Sequence, residues 1–377
     1  MDKSPAPINT NDHYIKACIL YDVIKKRPIF DAYRNFCKLI GQNVMEYPDY
    51  EFWYHRFYHK QLDFDYDRSA DPVPKTIMDM PVSLIYKITE NLDTVDRIHL
   101  RSMNKSIKEV VDSYPPIFQE ISIEFIENGL IWKLDNKKFK CLKKGSGCIL
   151  TRPNCSNIKS NKHYVTMGLE YLFPVFKIPG FQTNRLTLKL LHKPENVGNF
   201  LPVPFHVKSV AILAWRMEHV LSFLSAFNPG ELETIRISST HAFGIDETLR
   251  FFEAEQFKQA KHVQYKMQVI QNWIERFSHL KSFEFFLHFP GPLDFQITRD
   301  IISTFEEFEY CKIKVPCFLS DMWFSLRTVG RVFEEEMPFG PLKTINHRYR
   351  IPESNEFLEF KIEDEGRFCS MEIFKIR

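Results

Sequence analysis

The chain has 377 residues, of which 44% are hydrophobic and 26% charged, and its formal net charge is +2 at pH 7. These are ordinary values for a folded protein, and the length predicts two or three domains. The nearly balanced charge excludes a general electrostatic attraction to nucleic acid or to an anionic membrane.

Three helical patterns open the chain. Apolar residues recur at helical spacing over residues 13–27, 29–40 and 48–59. The third pattern contains Trp53-Tyr-His-Arg-Phe57 and runs into an acidic segment. This arrangement resembles the helix-turn-helix at the start of mariner-type transposases. The resemblance implies a helix-turn-helix-like module over residues 13–68 whose third helix would read DNA.

The charge of this module argues against DNA binding. Residues 1–70 contain ten Lys or Arg and ten Asp or Glu, and the third helix opens with Asp49 and Glu51. A DNA-reading helix needs cations, because most of its affinity comes from neutralising phosphates. We therefore favour a helical interaction module, and a DNA-associated protein that uses residues 13–60 is the alternative.

Residues 79–111 predict three short helices. Pro81 suits the first helical position, Asp93 or Thr94 can cap a second helix, and Asn104 can cap a third. The apolar side chains are more than three short helices can shelter among themselves. Part of this segment is therefore predicted to contact another protein.

The same segment resembles an F-box, with Ile107 where many F-boxes carry Trp, through the order Met80-Pro81, paired aliphatics, Leu92-x-x-x-Asp96-Arg97 and Leu100-Arg-x-Met103. F-boxes dock on a Skp-family adaptor and so attach a substrate receptor to a cullin-RING ubiquitin ligase. The resemblance covers residues 77–116 and implies this adaptor as a partner. The residues that we predict to contact the adaptor or to support the F-box core are Met80, Pro81, Leu84, Ile85, Ile88, Leu92, Leu100, Met103 and Ile107.

A helix-turn-helix-like module followed directly by an F-box is a combination associated with the nematode F-box A family. Members of that family continue into an FTH, or F-box-associated, domain. The resemblance therefore implies a substrate receptor of an SCF ubiquitin ligase, with an unknown protein substrate bound by the C-terminal domain.

Residues 117–184 predict a connecting region. A hairpin with its turn at Gly129 is plausible over residues 118–134. From Lys133 to Lys162 there are nine Lys or Arg, and Asp135 is the single acid. The glycines and the proline inside this stretch favour a solvated basic loop, and a site for an anionic partner is the alternative.

Short strands alternate with helices over residues 185–365. Three strand starts are alike: Val207-Lys-Ser-Val-Ala-Ile, Leu232-Glu-Thr-Ile-Arg-Ile and Leu280-Lys-Ser-Phe-Glu-Phe. Such units bury their core by stacking, which predicts a curved α/β solenoid or an open parallel sheet with helices on one face. This agrees with a leucine-rich-repeat-like FTH domain. The candidate substrate-binding residues on its strands are Lys208, Ser209, Glu233, Arg236, Lys281 and Glu284.

Catalytic and cofactor motifs are absent from the sequence. It has no P-loop, Gly-x-Gly-x-x-Gly, His-Glu-x-x-His or Gly-x-Ser-x-Gly motif. Its eight cysteines form no Cys-x-x-Cys pair, and Cys141, Cys148 and Cys155 match no zinc motif, so we expect free thiols and no metal. We expect neither a cofactor nor enzymatic activity.

The predicted fold class is α+β multidomain: a three-helix module (13–68), a helical F-box (77–116), a connecting region with a basic loop (117–184) and an α/β leucine-rich-repeat-like domain (185–365). The predicted function is an F-box substrate receptor. The alternatives are a DNA-associated protein and a non-ligase interaction scaffold. Because the sequence shows neither an apolar signal segment nor a membrane span, we expect an intracellular protein, cytoplasmic, nuclear or both, without a membrane partner.

Overall fold

The computed structural model of the protein describes residues 11–41, 43–71, 76–153, 155–194, 197–241, 243–287, 295–316, 344–365 and 368–377. The chain divides into two compact units, Met1–Met80 and Pro81–Arg377. Each unit has a hydrophobic core of its own. The fold is mixed α/β, with a large sheet and several helices.

Helices form the first unit, and three of them fit the predicted helix-turn-helix-like module: α1 Asp12–Ile24, α2 Ile29–Leu39 and α3 Tyr47–Tyr58, followed by short 3-10 helices at Arg68–Ala70 and Ile77–Asp79. Asn11 caps α1, because its side chain accepts a hydrogen bond from the backbone N–H of His13 at 3.1 Å. Aromatic side chains such as Phe36, Tyr50 and Trp53 fill the core and are at most 4% exposed.

Three short helices open the second unit: α4 Val82–Asn91, α5 Thr94–Arg101 and α6 Lys105–Asp112. The predicted caps are in place. Asp93 accepts a hydrogen bond from the N–H of Asp96 at 2.9 Å, and Asn104 accepts one from the N–H of Ser106 at 2.8 Å. Pro81 is the N-cap residue of α4, one position before the predicted one.

Within the described residues, the strands that follow form one sheet of fourteen. Their bounds are β1 Ile117–Ile126, β2 Gly129–Leu134, β3 Lys137–Lys144, β4 Gly147–Thr151, β5 Ile158–Ser160, β6 Gln182–Lys189, β7 Val207–Leu213, β8 Thr234–Ser238, β9 His262–Val269, β10 Ser282–Leu287, β11 Tyr310–Pro316, β12 Thr344–Arg350, β13 Phe357–Asp364 and β14 Phe368–Ile376. The spatial order is β12-β13-β14-β11-β10-β9-β8-β7-β6-β1-β2-β3-β4-β5. The seven neighbours from β11 to β1 are parallel, and antiparallel strands flank them on both sides.

Helices cover one face of this sheet: α7 Tyr164–Phe176, α8 Met217–Leu224, α9 Ile245–Glu253, α10 Glu255–Lys258, a 3-10 helix Gln271–Phe277 and α11 Phe295–Ser303. Their apolar side chains share one core with alternate residues of the strands. Most of the intervening strand residues are partly or fully exposed. We call the side of the sheet that these intervening residues form the open face.

The seven parallel strands begin with the same spacing of buried residues. In each, an apolar or small residue is followed by two polar positions and then by two buried residues that flank a third. The three buried positions are at most 4% exposed in all seven units, which start at Phe118, Thr183, Val207, Leu232, Ala260, Leu280 and Phe308. The sequence analysis found three of them and missed those that start with Phe118, Thr183, Ala260 and Phe308.

The predicted basic loop between Lys133 and Lys162 is wrong. Strands β2 to β5 form an antiparallel meander there, which belongs to the same sheet as the later strands. The reason is alternation: Phe139, Cys141 and Leu150 are at most 1% exposed and point into the core, while the lysines between them point outward.

Candidate protein-interaction sites

Helix α4 carries apolar residues on two different faces. Ile85 and Thr89 are at most 5% exposed and face the protein, whereas Leu84 and Ile88 are 45% and 40% exposed. Pro81, one turn before Leu84, is also exposed. Residues three and four apart on a helix are neighbours on its surface, so Pro81, Leu84 and Ile88 form one apolar row, which we call the α4 ridge.

The predicted adaptor set therefore separates into two groups. The α4 ridge and Met103, which is 70% exposed on the turn between α5 and α6, are accessible to a partner. Leu100 and Ile107 form a small core with Val111, and Leu92 packs against it. The full set is thus distributed as follows: Pro81, Leu84, Ile88 and Met103 exposed; Met80 and Leu92 partly buried; Ile85, Leu100 and Ile107 buried.

Two further exposed apolar residues of α4 were missed by the sequence analysis. Val82 is 57% exposed and Tyr86 is 39% exposed. They are four residues apart and therefore form a second row beside the buried Ile85–Thr89 face. Their four-residue spacing could have indicated an apolar row on the helix, but the same spacing is found on a helix face that packs into the core.

Contacts of α5 and its N-cap residue attach the group of three helices to the sheet. Val95 of α5 is 4% exposed and belongs to the core of the sheet. The ammonium of Lys137 on β3 lies 2.8 Å from carboxylate oxygens of both Asp93 and Asp96, and these hydrogen bonds raise its pKa. Because these contacts hold the helices in place before binding, α4 would lose less conformational entropy when a partner binds.

A second contact fixes α5 against α6. The guanidinium of Arg101 donates to both carboxylate oxygens of Asp112, at 2.5 and 3.1 Å. Two-point pairing holds the geometry more strictly than a single contact would. The exposed row on α4 therefore belongs to a group of three helices in which α5 and α6 are held in fixed positions.

Three of the predicted substrate residues lie on the open face. Ser209, Arg236 and Glu284 are on β7, β8 and β10, with partly exposed side chains. Arg236 and Glu284 stand in one row through Gln264 of β9, whose side chain donates to Glu284. The row continues to Lys312, 2.8 Å from Glu372.

The other three, Lys208, Glu233 and Lys281, lie at the strand starts, each one position before the row that joins Ser209, Thr234 and Ser282 through His262. Backbone N–H groups link these positions in a ladder: Glu233 donates to Lys208 and Lys281 donates to Lys261, each at 2.9 Å. The Lys261 ammonium is 2.8 Å from the carboxylate of Glu233 and lowers the pKa of that group. The six candidates therefore belong to three rows: Lys208, Glu233 and Lys281 at the strand starts, Ser209 in the next row, and Arg236 with Glu284 further along the strands.

The structure also reveals an exposed tryptophan that the sequence analysis did not single out. Trp215 is 49% exposed and follows β7. Its ring centroid lies 6.2 Å from that of His192, after β6, and 5.8 Å from that of His241, after β8. Residues so far apart in the chain give no sequence signal of their proximity.

The first unit shows no cationic reading surface on its third helix. Arg56 of α3 stacks on Tyr66 with 3.5 Å between the guanidinium carbon and the ring centre. Arg68 lies over Phe52 at 4.0 Å and pairs with Asp49. These cations are held by the module itself, which disfavours phosphate contacts through α3.

The described residues contain neither a cluster of metal ligands nor a membrane-spanning helix. No group of three or more His, Cys, Asp or Glu side chains in them could hold a metal ion. Seven cysteines of this part of the chain are free thiols, and Cys317 lies outside the described residues. In the same ranges, no helix combines the length and the apolar character that crossing a membrane requires.

Comparison with known proteins gives three matches. Residues 196–334 match the FTH domain, and residues 12–61 match the HTH domain in Mos1 transposase. The chain is 24% identical over 332 residues to F-box A protein 224 of Caenorhabditis elegans, which covers 82% of this chain and 85% of that relative. No solved structure matches the chain. These matches confirm the resemblance to nematode F-box A proteins.

Proposed function

We propose, from this resemblance to nematode F-box A proteins, that the protein is a non-catalytic substrate receptor of an SCF ubiquitin ligase. Residues 77–116 act as the F-box and dock on a Skp-family adaptor, which connects the chain to a cullin-RING ligase. The sheet that follows recruits a protein substrate. This role would put the protein inside the cell, in the cytoplasm, the nucleus or both.

The observation that carries the proposal is the α4 ridge. Pro81, Leu84 and Ile88 expose apolar surface at a helix whose adjacent face is buried through Ile85 and Thr89. A few aliphatic anchors on a fixed element are the usual centre of a protein interface. Met103 adds a flexible apolar contact nearby in the sequence, and thioethers suit irregular binding surfaces.

The strand pattern supports a leucine-rich-repeat-like domain over residues 185–365. Its six parallel strands follow one another in space in the order of the sequence, and each starts with the same spacing of buried residues. Repeated units of this kind stack and present one side of their strands to partners. Substrate contacts are proposed on the three rows described above, which contain Lys208, Ser209, Glu233, Arg236, Lys281 and Glu284.

The test is adaptor capture by the full chain, because Val95 and Lys137 tie the helices to the sheet. The Pro81→Ala/Leu84→Ala double variant should lose retention of a purified Skp-family adaptor. Glu90→Ala, an exposed polar change on the same helix, should retain it. Equal capture by both variants, with circular dichroism spectra like that of the parent chain, would contradict docking through the α4 ridge.

A further inference from the structure

The open face of the β2–β5 meander carries an uncompensated group of lysines. Of the nine Lys or Arg from Lys133 to Lys162, two are paired: Lys137 with Asp93 and Asp96, and Lys162 with Glu170 at 2.6 Å. Five others point to the open face by strand alternation: Lys133, Lys138, Lys140, Lys144 and Lys159. We call these five the meander lysines.

Strand pairing brings these side chains close together. Lys133 of β2 stands directly opposite Lys138 of β3, and Lys140 follows two residues later on the same side. Lys159 of β5 joins them from the far edge, opposite Ile149 of β4. Directly opposed residues have Cβ atoms only about 5 Å apart, so the ammonium groups share one surface.

No carboxylate among the described residues lies within 4.0 Å of any of these five ammonium groups. The acidic residues on and beside the neighbouring strand β1 have other partners or stand opposite other residues. Glu124 pairs with Lys189 at 3.4 Å, Asp135 accepts hydrogen bonds from two backbone N–H groups of β1, and Glu120 stands opposite Arg185.

Like charges directly opposite each other weaken a sheet. Elsewhere on the open face, several lysines that face neighbouring strands have acidic partners, such as Lys312 with Glu372 at 2.8 Å and Lys314 with Glu365 at 3.3 Å, and the unpaired Lys266 of β9 faces Ser238 and not another lysine. Like charges that face each other without an acidic partner, in a sheet that is otherwise ordinary, are typical of a functional surface.

The rest of this surface indicates what kind of anion it fits. Ile131, Leu142 and Ile149 lie between the lysines and are partly exposed, with Leu142 at 38%. The outward residues of β2 to β5 include neither arginine nor an aromatic ring. The surface therefore lacks the aromatic stacking platform of a single-strand nucleic-acid site.

We propose that the meander lysines form a docking surface for an acidic segment of a partner protein, in which Asp or Glu residues alternate with aliphatic ones. The carboxylates pair with the ammonium groups, and the aliphatic side chains contact the strip formed by Ile131, Leu142 and Ile149. That the partner is a ligase substrate rests on the proposed function, whereas the binding itself does not.

The test uses the full chain and a fluorescent peptide of four Glu-Glu-Leu repeats, followed by fluorescence anisotropy. We expect binding that weakens as salt is added, because exposed ion pairs are screened. The triple variant Lys133→Gln/Lys138→Gln/Lys140→Gln should bind about tenfold more weakly, since each exposed pair contributes a modest share of the affinity.

The matched control removes three exposed, unpaired lysines elsewhere, as Lys38→Gln/Lys108→Gln/Lys266→Gln. It has the same net charge and should bind the peptide like the parent chain. Equal affinities of the two triple variants would overturn the proposal, as would tight binding of a Gln-Gln-Leu peptide. A single-stranded DNA oligonucleotide that binds more tightly than the acidic peptide and with the same lysine dependence would also overturn it.

Adaptor capture separates this inference from the proposed function. The meander variant should retain the Skp-family adaptor, because its substitutions lie on the face of the sheet away from α4 to α6. Loss of peptide binding with capture intact supports the docking surface. A parent chain that binds the peptide through these lysines but captures no adaptor would contradict the ligase role alone.

Discussion

Truncation of Leu84 and Ile88, the two helical residues of the α4 ridge, gives the most specific prediction for adaptor binding. In the Leu84→Ala/Ile88→Ala variant, the lost surface is already exposed in the free protein, at 45% for Leu84 and 40% for Ile88. Alanine also has a higher helix propensity than either residue. The helix should therefore remain folded, and its melting temperature should stay close to that of the parent chain.

The binding loss follows from the same exposed fractions. Burying a Leu or Ile side chain fully is worth about 1.5–3 kcal/mol. The exposed parts of the two side chains together would then contribute about 1.3–2.6 kcal/mol on docking. Since about 1.4 kcal/mol is a factor of ten in affinity, the double variant should bind the adaptor about ten- to seventyfold more weakly.

Isothermal titration calorimetry with a purified Skp-family adaptor measures this difference. The matched control, Ser83→Ala/Lys87→Ala, truncates two exposed polar residues on the other side of the same helix. It should change the dissociation constant by less than about threefold, as surface substitutions usually do. A control that loses as much affinity as the ridge variant, or a ridge variant that binds like the parent chain, would refute this reasoning.

Three further predictions concern other parts of the chain. Ile107→Ala should destabilise the second unit by about 2–5 kcal/mol in urea unfolding, because Ile107 is fully buried in the small core of the three helices; an unchanged midpoint would contradict that placement. Gly147→Ala should disrupt the pairing of β4 with β5, since the new Cβ would lie 2.1 Å from the carbonyl oxygen of Ser160, whereas Gly198→Ala meets nothing within 4 Å and should be neutral in the same thermal melt. Helix α3 should contribute nothing to any affinity of the full chain for duplex DNA, because Arg56 is held by the module, so Arg56→Ala should leave an electrophoretic shift unchanged; a salt-sensitive shift that is abolished by Arg56→Ala would oppose this view.

Local sequence signals were sufficient for the helices. Asn104 and Asp93 are capping residues with a strong positional preference, and both cap the predicted helices in the structure. Apolar spacing near 3.6 residues located the three helices of the first unit within three residues of their observed bounds. Such features depend on neighbours in the chain and are therefore readable without the fold.

The prediction of a basic loop was wrong because the residue composition of this stretch indicated a loop, whereas the alternation of apolar and polar residues indicated strands. The stretch around Lys140 is rich in lysine, glycine and polar residues, which is typical of a loop. Phe139 and Cys141 nevertheless alternate with the lysines, and their burial under α7 decides in favour of a strand. Which side chains are covered depends on a helix more than twenty residues later in the chain.

The candidate sites show the same limit. Sequence placed Leu84 and Ile107 in one set because both are apolar at helical spacing, whereas the structure exposes the first and buries the second. Exposure is decided by which elements pack together, as when Val95 fixes α5 on the sheet. The opposition of Lys133 and Lys138 likewise depends on strand register, which composition does not give.

Formation of a complex between the full parent chain and a purified Skp-family adaptor is the most direct test of the central claim. Size-exclusion chromatography with light scattering measures the mass of the mixture. The account predicts a stable peak with the mass of one receptor chain plus one adaptor. A folded receptor that elutes apart from the adaptor at micromolar concentrations would contradict the account and would favour a helical module and sheet that serve another partner.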